Sequence, residues 1–345
     1  MTVTEGWTRS EVRAAEIGWA GPGARPPSRW KQSAQELTDE LSGRHRTAPV
    51  VVRADPAATT VHDQASALAT LLRADISLLV SPDLIDSLRA ALAPAGAAPA
   101  SAQRTETIAL VIHTLALLGQ PTDQGVLLDL SGGGVTVPAG HDTPVTAARL
   151  LDALGAAGDG RRYYEVTAAR GRISAWLCDR QRPDGSWHDR RHTSPHFTTA
   201  ACALALHDAG VGARASAAVL RAVDWVLRTQ RPGGAWGLRY GTAEETAYAL
   251  LVLLATTDPP SARMARSAGN GAAHLTPADE DPSAEDWQHS TGTPRPAPLP
   301  AAQASIVAAG HLAQKMAVNA VDGHGCTGPE APGYPLSLPR TVVGG

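Results

Sequence analysis

The chain has 345 residues, a formal charge of −3 and 43% hydrophobic residues. That is enough for one large domain with a sizeable core, and the charge excludes a general attraction to nucleic acid or to an acidic membrane. Three cysteines, Cys178, Cys202 and Cys326, are odd in number and far apart, which points to a reducing compartment and not to a disulfide framework.

In chain order, Ser10 to Ile17 has the pattern of a short helix, broken by Gly21-Pro22-Gly23 and Pro26-Pro27. Helical spacing begins at His62, with Ala65, Leu68, Leu71 and Leu72 on one face. Ser81-Pro82-Asp83 opens a second helix, to about Leu92, and Ala93 to Ala102 is an Ala/Pro linker. The segment from Thr105 to Gly119 is apolar almost all round and reads as a buried helix. Gly132 to Gly134 is a loop. Thr143 to Leu154 is a small-residue helix closed by Gly155, followed by Arg161 to Arg180. Thr198 to His207, Ala213 to Arg228, Ala243 to Ala255 and Pro300 to Val318 complete the helices. Residues 258–299 are rich in Pro, Gly, Ser and acid and read as a long loop or disordered insert.

Six Ala-rich buried helices begin near His62, Thr105, Thr143, Thr198, Ala243 and Pro300, alternating with amphipathic partners or loops. Small residues inside and amphipathic helices outside describe two concentric rings, an all-α (α/α)6 barrel. No alternating Val/Ile/Thr strands compete with it. The expected division is a 1–60 extension, a 61–320 barrel and a flexible 321–345 tail. The inner helices' N-termini should surround a central pocket whose free N–H groups favour anions.

One phrase occurs twice, 49 residues apart: Trp176-Leu-Cys-Asp-Arg-Gln181-Arg-Pro-Asp-Gly185-Ser-Trp187 and Trp225-Val-Leu-Arg-Thr-Gln230-Arg-Pro-Gly-Gly234-Ala-Trp236. Pro183 and Pro232 cannot continue a helix, and Gly185 and Gly234 allow a sharp reversal. The glutamine can hydrogen-bond backbone groups at a neighbouring helix end, and the closing tryptophan covers the joint. Both phrases are structural staples between repeats.

The twin phrase resembles the Gln-Trp repeats of the terpenoid cyclase and protein prenyltransferase β-subunit superfamily. Trp187-His-Asp-Arg190-Arg191-His192-Thr-Ser194-Pro195-His196 and Ala243-Glu244-Glu245-Thr-Ala-Tyr248 resemble segments of bacterial class II diterpene cyclases. The likeness covers roughly residues 60–320 and implies the β-domain of such a cyclase. The usual second α-barrel domain does not fit in this length, so a partner subunit in its place is an expectation. The resemblance implies carbocation cyclisation of a prenyl diphosphate, geranylgeranyl or farnesyl, begun by protonating an alkene. In that family the acid is the middle Asp of Asp-x-Asp-Asp-Thr. Gln103-Arg104-Thr105-Glu106-Thr107 stands here, with Thr105 at the acid's position and Glu106 one residue on, about 100° round the helix. Carried over, the site is Gln103, Thr105 and Glu106 for chemistry. Arg190 and Arg191 fall to the diphosphate, and Trp187, His192, His196, Glu244, Glu245 and Tyr248 to the pocket. No resident metal is implied, and Mg2+ would arrive with the diphosphate.

Two other readings stay open. One is a non-catalytic relative that binds a prenyl chain or a partner. The other is a zinc-dependent prenyltransferase β-like subunit, whose one candidate site is Asp322-Gly-His324-Gly-Cys326. His188, His192 and His196 recur every fourth residue, but Pro195 interrupts any helix that would align them as metal ligands. The N-terminus lacks a basic and apolar leader, and no apolar run approaches the ~18 residues of a spanning helix, so a cytoplasmic protein is expected.

Overall fold

The computed structural model describes residues 50–52, 60–93, 101–130, 143–156, 162–257, 260–275 and 300–322. Their elements are β1 (Val50–Val52), α1 (Val61–Arg73), β2 (Leu78–Val80), α2 (Pro82–Ala90), α3 (Ala102–Leu117), α4 (Gln124–Leu130), α5 (Pro144–Ala156) and α6 (Tyr163–Arg180). They continue with α7 (Pro195–Ala209), α8 (Ala213–Thr229), α9 (Ala243–Ala255), α10 (Ala262–Ala272) and α11 (Pro300–Asp322).

Six helices pack in a closed circuit: α1 on α3, then α5, α7, α9, α11 and back to α1. These are the six Ala-rich segments. Their small side chains let the backbones approach, and α5, α7 and α9 are buried along almost their whole length. Outside this ring, α6 packs on α5 and α7, α8 on α7 and α9, and α10 on α9 and α11. The amphipathic α8 turns Ala215, Ala218, Val219, Ala222, Val223 and Val226 inward. The architecture is a double-walled (α/α)6 barrel.

Five of the six inner helices start the same way. Thr60, Ser101, Thr143, Ser194 and Thr242 accept hydrogen bonds from the backbone N–H three residues on, which satisfies one free donor of each helix end.

Three local expectations are corrected and one is met. Val50–Val52 pairs in parallel with Leu78–Val80, so two short strands exist beside the barrel. Gly155 does not end α5, which runs to Ala156. A side chain there would collide with Ala209 of α7, so glycine serves close helix packing. Pro195 is the first residue of α7, where the missing N–H costs nothing, so no one helix carries His188, His192 and His196, as expected. The stretch expected to be unstructured from residue 258 contains α10. Ser261 caps it, and its buried face is the small-residue set Met264, Ser267, Ala268 and Gly271. Residues 1–49, 131–142, 276–299 and 323–345 lie outside the described residues, and with them the expected helix at Ser10, the Gly132–Gly134 loop, most of the insert and the tail.

The two repeated phrases are superimposable in their contacts. Gln181 Nε2 donates to Gly185 O (2.9 Å) and Ala218 O (2.8 Å); Gln230 Nε2 donates to Gly234 O and Ser267 O, both at 2.8 Å. The distant acceptors lie in the second turn of the next outer helix, α8 and α10, deeper than the helix end expected from sequence. Trp187 Nε1 donates to Leu177 O and Trp236 Nε1 to Val226 O, each at 2.8 Å. The Trp187 and Trp236 N–H groups donate to Thr199 Oγ1 and Thr246 Oγ1 of inner helices. Gly185 and Gly234 adopt φ of +95° and +98°, and a Cβ on either would strike the carbonyl of Arg221 or Asn270. Each clasp therefore ties one outer helix to the next and to the inner wall.

Candidate active site

The segment from Trp187 to Ser194 lies across the N-terminal mouth of the inner ring and is fastened to three helices. Asp189 Oδ2 accepts from Val145 N at the start of α5 (3.1 Å), and its Oδ1 accepts from Arg191 N (2.8 Å). Arg191 Nη1 donates to Glu106 Oε2 on α3 at 2.9 Å. Ser194 Oγ donates to Glu245 Oε1 on α9 at 2.8 Å. The free N–H groups expected to draw an anion at α5 are thus met by the chain's own Asp189.

Glu106 is 2% exposed. Its Oε2 is held by Arg191, while its Oε1 faces His62 Nε2 at 4.0 Å and His192 Nε2 at 3.9 Å. Burial, partly offset by Glu106, keeps His62 below the usual histidine range. Burial likewise keeps His192 below it, against the pull of Asp189. Near neutral pH both are neutral imidazoles. His62 Nδ1 lies 3.2 Å from Thr107 Oγ1, which fixes its ring beside Glu106.

From His192 an aromatic wall runs inward. His192 and Phe197 rings are 4.7 Å apart, and Phe197 and Tyr248 rings 5.2 Å apart. Tyr248 donates to Glu244 Oε1 at 2.8 Å. Phe197 and Tyr248 line a cavity of about 50 Å³ with Ala200, Leu204 and Leu251 on one side and Ser66, Thr70, Arg73, Arg149 and Ser305 on the other. Below it lies a buried ionic group. Arg73 donates to Asp152 Oδ1 and Asp208 Oδ2, each at 2.8 Å. His113, 5% exposed, has no hydrogen-bond partner on either ring nitrogen, and burial, with Arg73 and Arg149 nearby, pushes it down to about 3.

The residues proposed from sequence are only partly gathered here. Glu106, Arg191 and His192 meet. Thr105 is fully buried beside them, whereas Gln103 is exposed on the first turn of α3. Arg190 is exposed in the mouth segment. Trp187 does not line the described cavity. It is completely buried in its clasp, because its indole N–H is taken by Leu177 O. His196 sits 4% exposed against Trp225, with Nδ1 3.4 Å from Glu245 Oε1. Burial would raise Glu245, but contacts from His196 and Ser194 outweigh it and hold the carboxyl below its ordinary range. Its Oε2 accepts from Leu238 N, so Glu245 serves as a brace between loop and helix. His62, Arg149, Asp189 and Phe197 were missed. Asp189 and Phe197 flank residues already singled out, but nothing local marks His62 or Arg149. No three His, Cys, Asp or Glu side chains gather as a metal site would require among the described residues. His324 and Cys326 lie outside them.

The fold is similar to that of terpenoid-cyclase barrels. Residues 135–299 match the family "Squalene-hopene cyclase C-terminal domain", and the chain is a relative of the bacterial class II diterpene cyclases. It is 35% identical over 248 residues to the labda-7,13-dienyl diphosphate synthase of Streptomyces clavuligerus, covering 69% of this chain and 44% of that protein. It is 40% identical over 176 residues to the ent-copalyl diphosphate synthase of a Streptomyces species, covering 49% and 34%. The solved ent-copalyl diphosphate synthase from Streptomyces platensis superimposes with a TM-score of 0.61 at 33% identity, over 74% of this chain and 50% of that one. The chain therefore spans less than half the length of these curated relatives. Among the described residues, no helix is long and apolar enough to cross a membrane.

Proposed function

We propose that this barrel cyclises a prenyl diphosphate, geranylgeranyl or farnesyl, by proton-initiated carbocation chemistry, with Glu106 as the acid. The observation that carries this is the setting of Glu106: a buried carboxyl at an inner-helix N-terminus with one oxygen anchored and the other facing inward partners. An alkene is a very weak base, so its proton donor must leave a well-stabilised conjugate base in a dry site. Arg191 on Oε2 supplies that stabilisation, and the helix N-terminus adds to it. The proton would leave from Oε1. His62, whose side chain is 31% exposed, offers a route for its return from solvent. Phe197 and Tyr248 present aromatic faces to a cation formed below. Arg190, exposed at the rim, is the cation suited to meet the diphosphate, which would carry Mg2+ with it. The names of the relatives, three of them diphosphate synthases of labdadienyl or copalyl type, support the same substrate class. A partner subunit supplying the remainder of the relatives' length, and a cytoplasmic setting, belong to the same proposal.

A second reading is favoured by one feature. The Arg149 guanidinium lines the cavity, and a carbocation formed beside it is raised in energy. A prenyl-binding relative without turnover would tolerate that charge. The test is incubation of the purified chain with farnesyl and geranylgeranyl diphosphates, with and without Mg2+, alone and with any protein that co-purifies. A cyclic diphosphate or hydrocarbon that disappears in Glu106→Gln supports the cyclase. Saturable binding of either substrate with no product under any of these conditions leaves the second reading in its place.

A further inference from the structure

We infer that the deep half of the barrel cavity is a binding site for one phosphate-sized oxyanion, with Arg149 as its principal ligand. Arg149 stands on the inner helix α5 and is 8% exposed, and its guanidinium faces the cavity. Its Nε is buried and has no hydrogen-bond partner. The carboxylate it faces, Asp152, keeps Oδ2 3.9 Å away, too far for a hydrogen bond, and gives Oδ1 to Arg73 at 2.8 Å. Asp208 is likewise taken by Arg73. Asp208 and one oxygen of Asp152 are therefore spent on Arg73, and Arg149 is left with Asp152 Oδ2 only at ion-pair distance and with an idle Nε donor.

A buried guanidinium N–H without an acceptor is costly, and the fold itself incurs that cost. An oxyanion accepts from that N–H through a charge-assisted hydrogen bond, stronger than the bond water would make. The space agrees with that choice. About 50 Å³ holds about three to five waters, which suits one tetrahedral anion. The Ser66 hydroxyl lines the same space and can turn toward its oxygens; Thr70 and Ser305, which donate to Ser66 O and Ala301 O, would reach it only by exchanging those bonds. A carboxylate or phosphate fits this chemistry; the size of the space favours phosphate. The oxyanion would also cancel the charge that disfavours a cation in the cavity, whether or not the barrel cyclises anything.

The probe is inorganic phosphate, titrated into the full chain in chloride buffer at constant ionic strength, with heat and the unfolding midpoint as readouts. The expected result is one saturable site and a rise in midpoint. Arg149→Met should weaken phosphate binding about tenfold or more, the worth of a charge-assisted hydrogen bond. Arg149→Lys keeps charge but not the guanidinium donor, should weaken binding less, and decides the matter if Arg149→Met does not fold. Absence of a saturable phosphate site in the wild type overturns the proposal. So does wild-type affinity in the folded Arg149→Met chain or, failing that variant, in Arg149→Lys. Farnesyl diphosphate separates the two sources of the anion. Displacement of phosphate by it identifies the head group of a prenyl diphosphate as the occupant, and no displacement identifies free phosphate. Phosphate binding that survives alongside complete lack of turnover would remove the cyclase proposal and leave this site standing.

Discussion

The outer seams and the inner mouth of this barrel solve the same problem in opposite ways. Each seam joins helices with one compact phrase, and the two phrases reproduce each other contact for contact: Gln181 and Gln230 to paired carbonyls, Trp187 and Trp236 to Leu177 and Val226. All the polar atoms named there find partners, and the indole plates are completely buried. The mouth joins helices with charges drawn from distant parts of the chain, Glu106 to Arg191 and Asp189 to Val145. Beneath it, His113 and the Nε of Arg149 are buried without partners. Satisfied polar groups hold a structure rigid, while unsatisfied ones mark where it waits for something else. The seams are the scaffold, and the interior is where the proposed chemistry is placed.

The widest break in this contrast is to unclasp a seam. Trp187→Ala and Trp236→Ala each remove a fully buried indole and orphan a carbonyl, and each should cost about 3–5 kcal/mol in urea unfolding. Gly185→Ala and Gly234→Ala put a Cβ into a neighbouring carbonyl at positive φ, and each should cost about 1–3 kcal/mol or more. The two clasps should lose the same amount within about 1 kcal/mol at each matched pair. A clear inequality between Trp187→Ala and Trp236→Ala would show that matched geometry hides unequal seams.

The barrel was legible because its signals are local. Ser or Thr ahead of an Ala-rich run marks a capped inner helix, and the doubled phrase names both seams from Trp176 to Trp236. The helix α10 escaped notice because its buried face is Ser267, Ala268 and Gly271 around one Met264, too small to register as a hydrophobic stripe. The mouth was legible only in part. Glu106, Arg191 and His192 sit in recognisable motifs, but their meeting depends on contacts 85 residues apart in sequence. Arg149 and His113 each stand in a largely apolar helix, and what sets Arg149 apart, the loss of Asp152 Oδ1 to Arg73, depends on a contact 79 residues apart in sequence.

A smaller effect, of opposite sign, sharpens the contrast from the inner side. His113 is buried with both ring nitrogens unpartnered, so His113→Leu should leave neutral-pH stability unchanged or raise it by about 1 kcal/mol. The pH dependence follows from its lowered value. The unfolded chain takes up a proton below about 6.5, whereas the folded chain holds His113 neutral down to about 3. Between these the unfolded state binds more protons, so the wild type loses stability as pH falls, and His113→Leu should flatten that limb. Glu245 acts lower in the scale. Its contacts hold it below the ordinary carboxylate range, so its stabilisation is present above that range and disappears as pH drops through it. Glu245→Gln should therefore flatten only the most acid part of the curve, measured by unfolding from pH 7 to 3.

The finest difference lies between the clasps themselves. Arg221 Nε donates to Gln181 Oε1 at 2.8 Å, and the matching position of the second clasp is Asn270. The bond lies on the exposed face of α8, where solvent competes for both groups, so Arg221→Ala should cost about 0.5 kcal/mol. Its value is diagnostic because Gln181 keeps both of its backbone acceptors when Arg221 is gone. A double-mutant cycle of Arg221→Ala with Gln181→Ala isolates the side-chain tie from those backbone bonds. A coupling of about 0.5 kcal/mol is expected for Arg221 with Gln181, and none for Asn270→Ala with Gln230→Ala. Equal coupling in both cycles would mean that the second seam has a tie of its own at Asn270, and that the arginine adds nothing particular to the first.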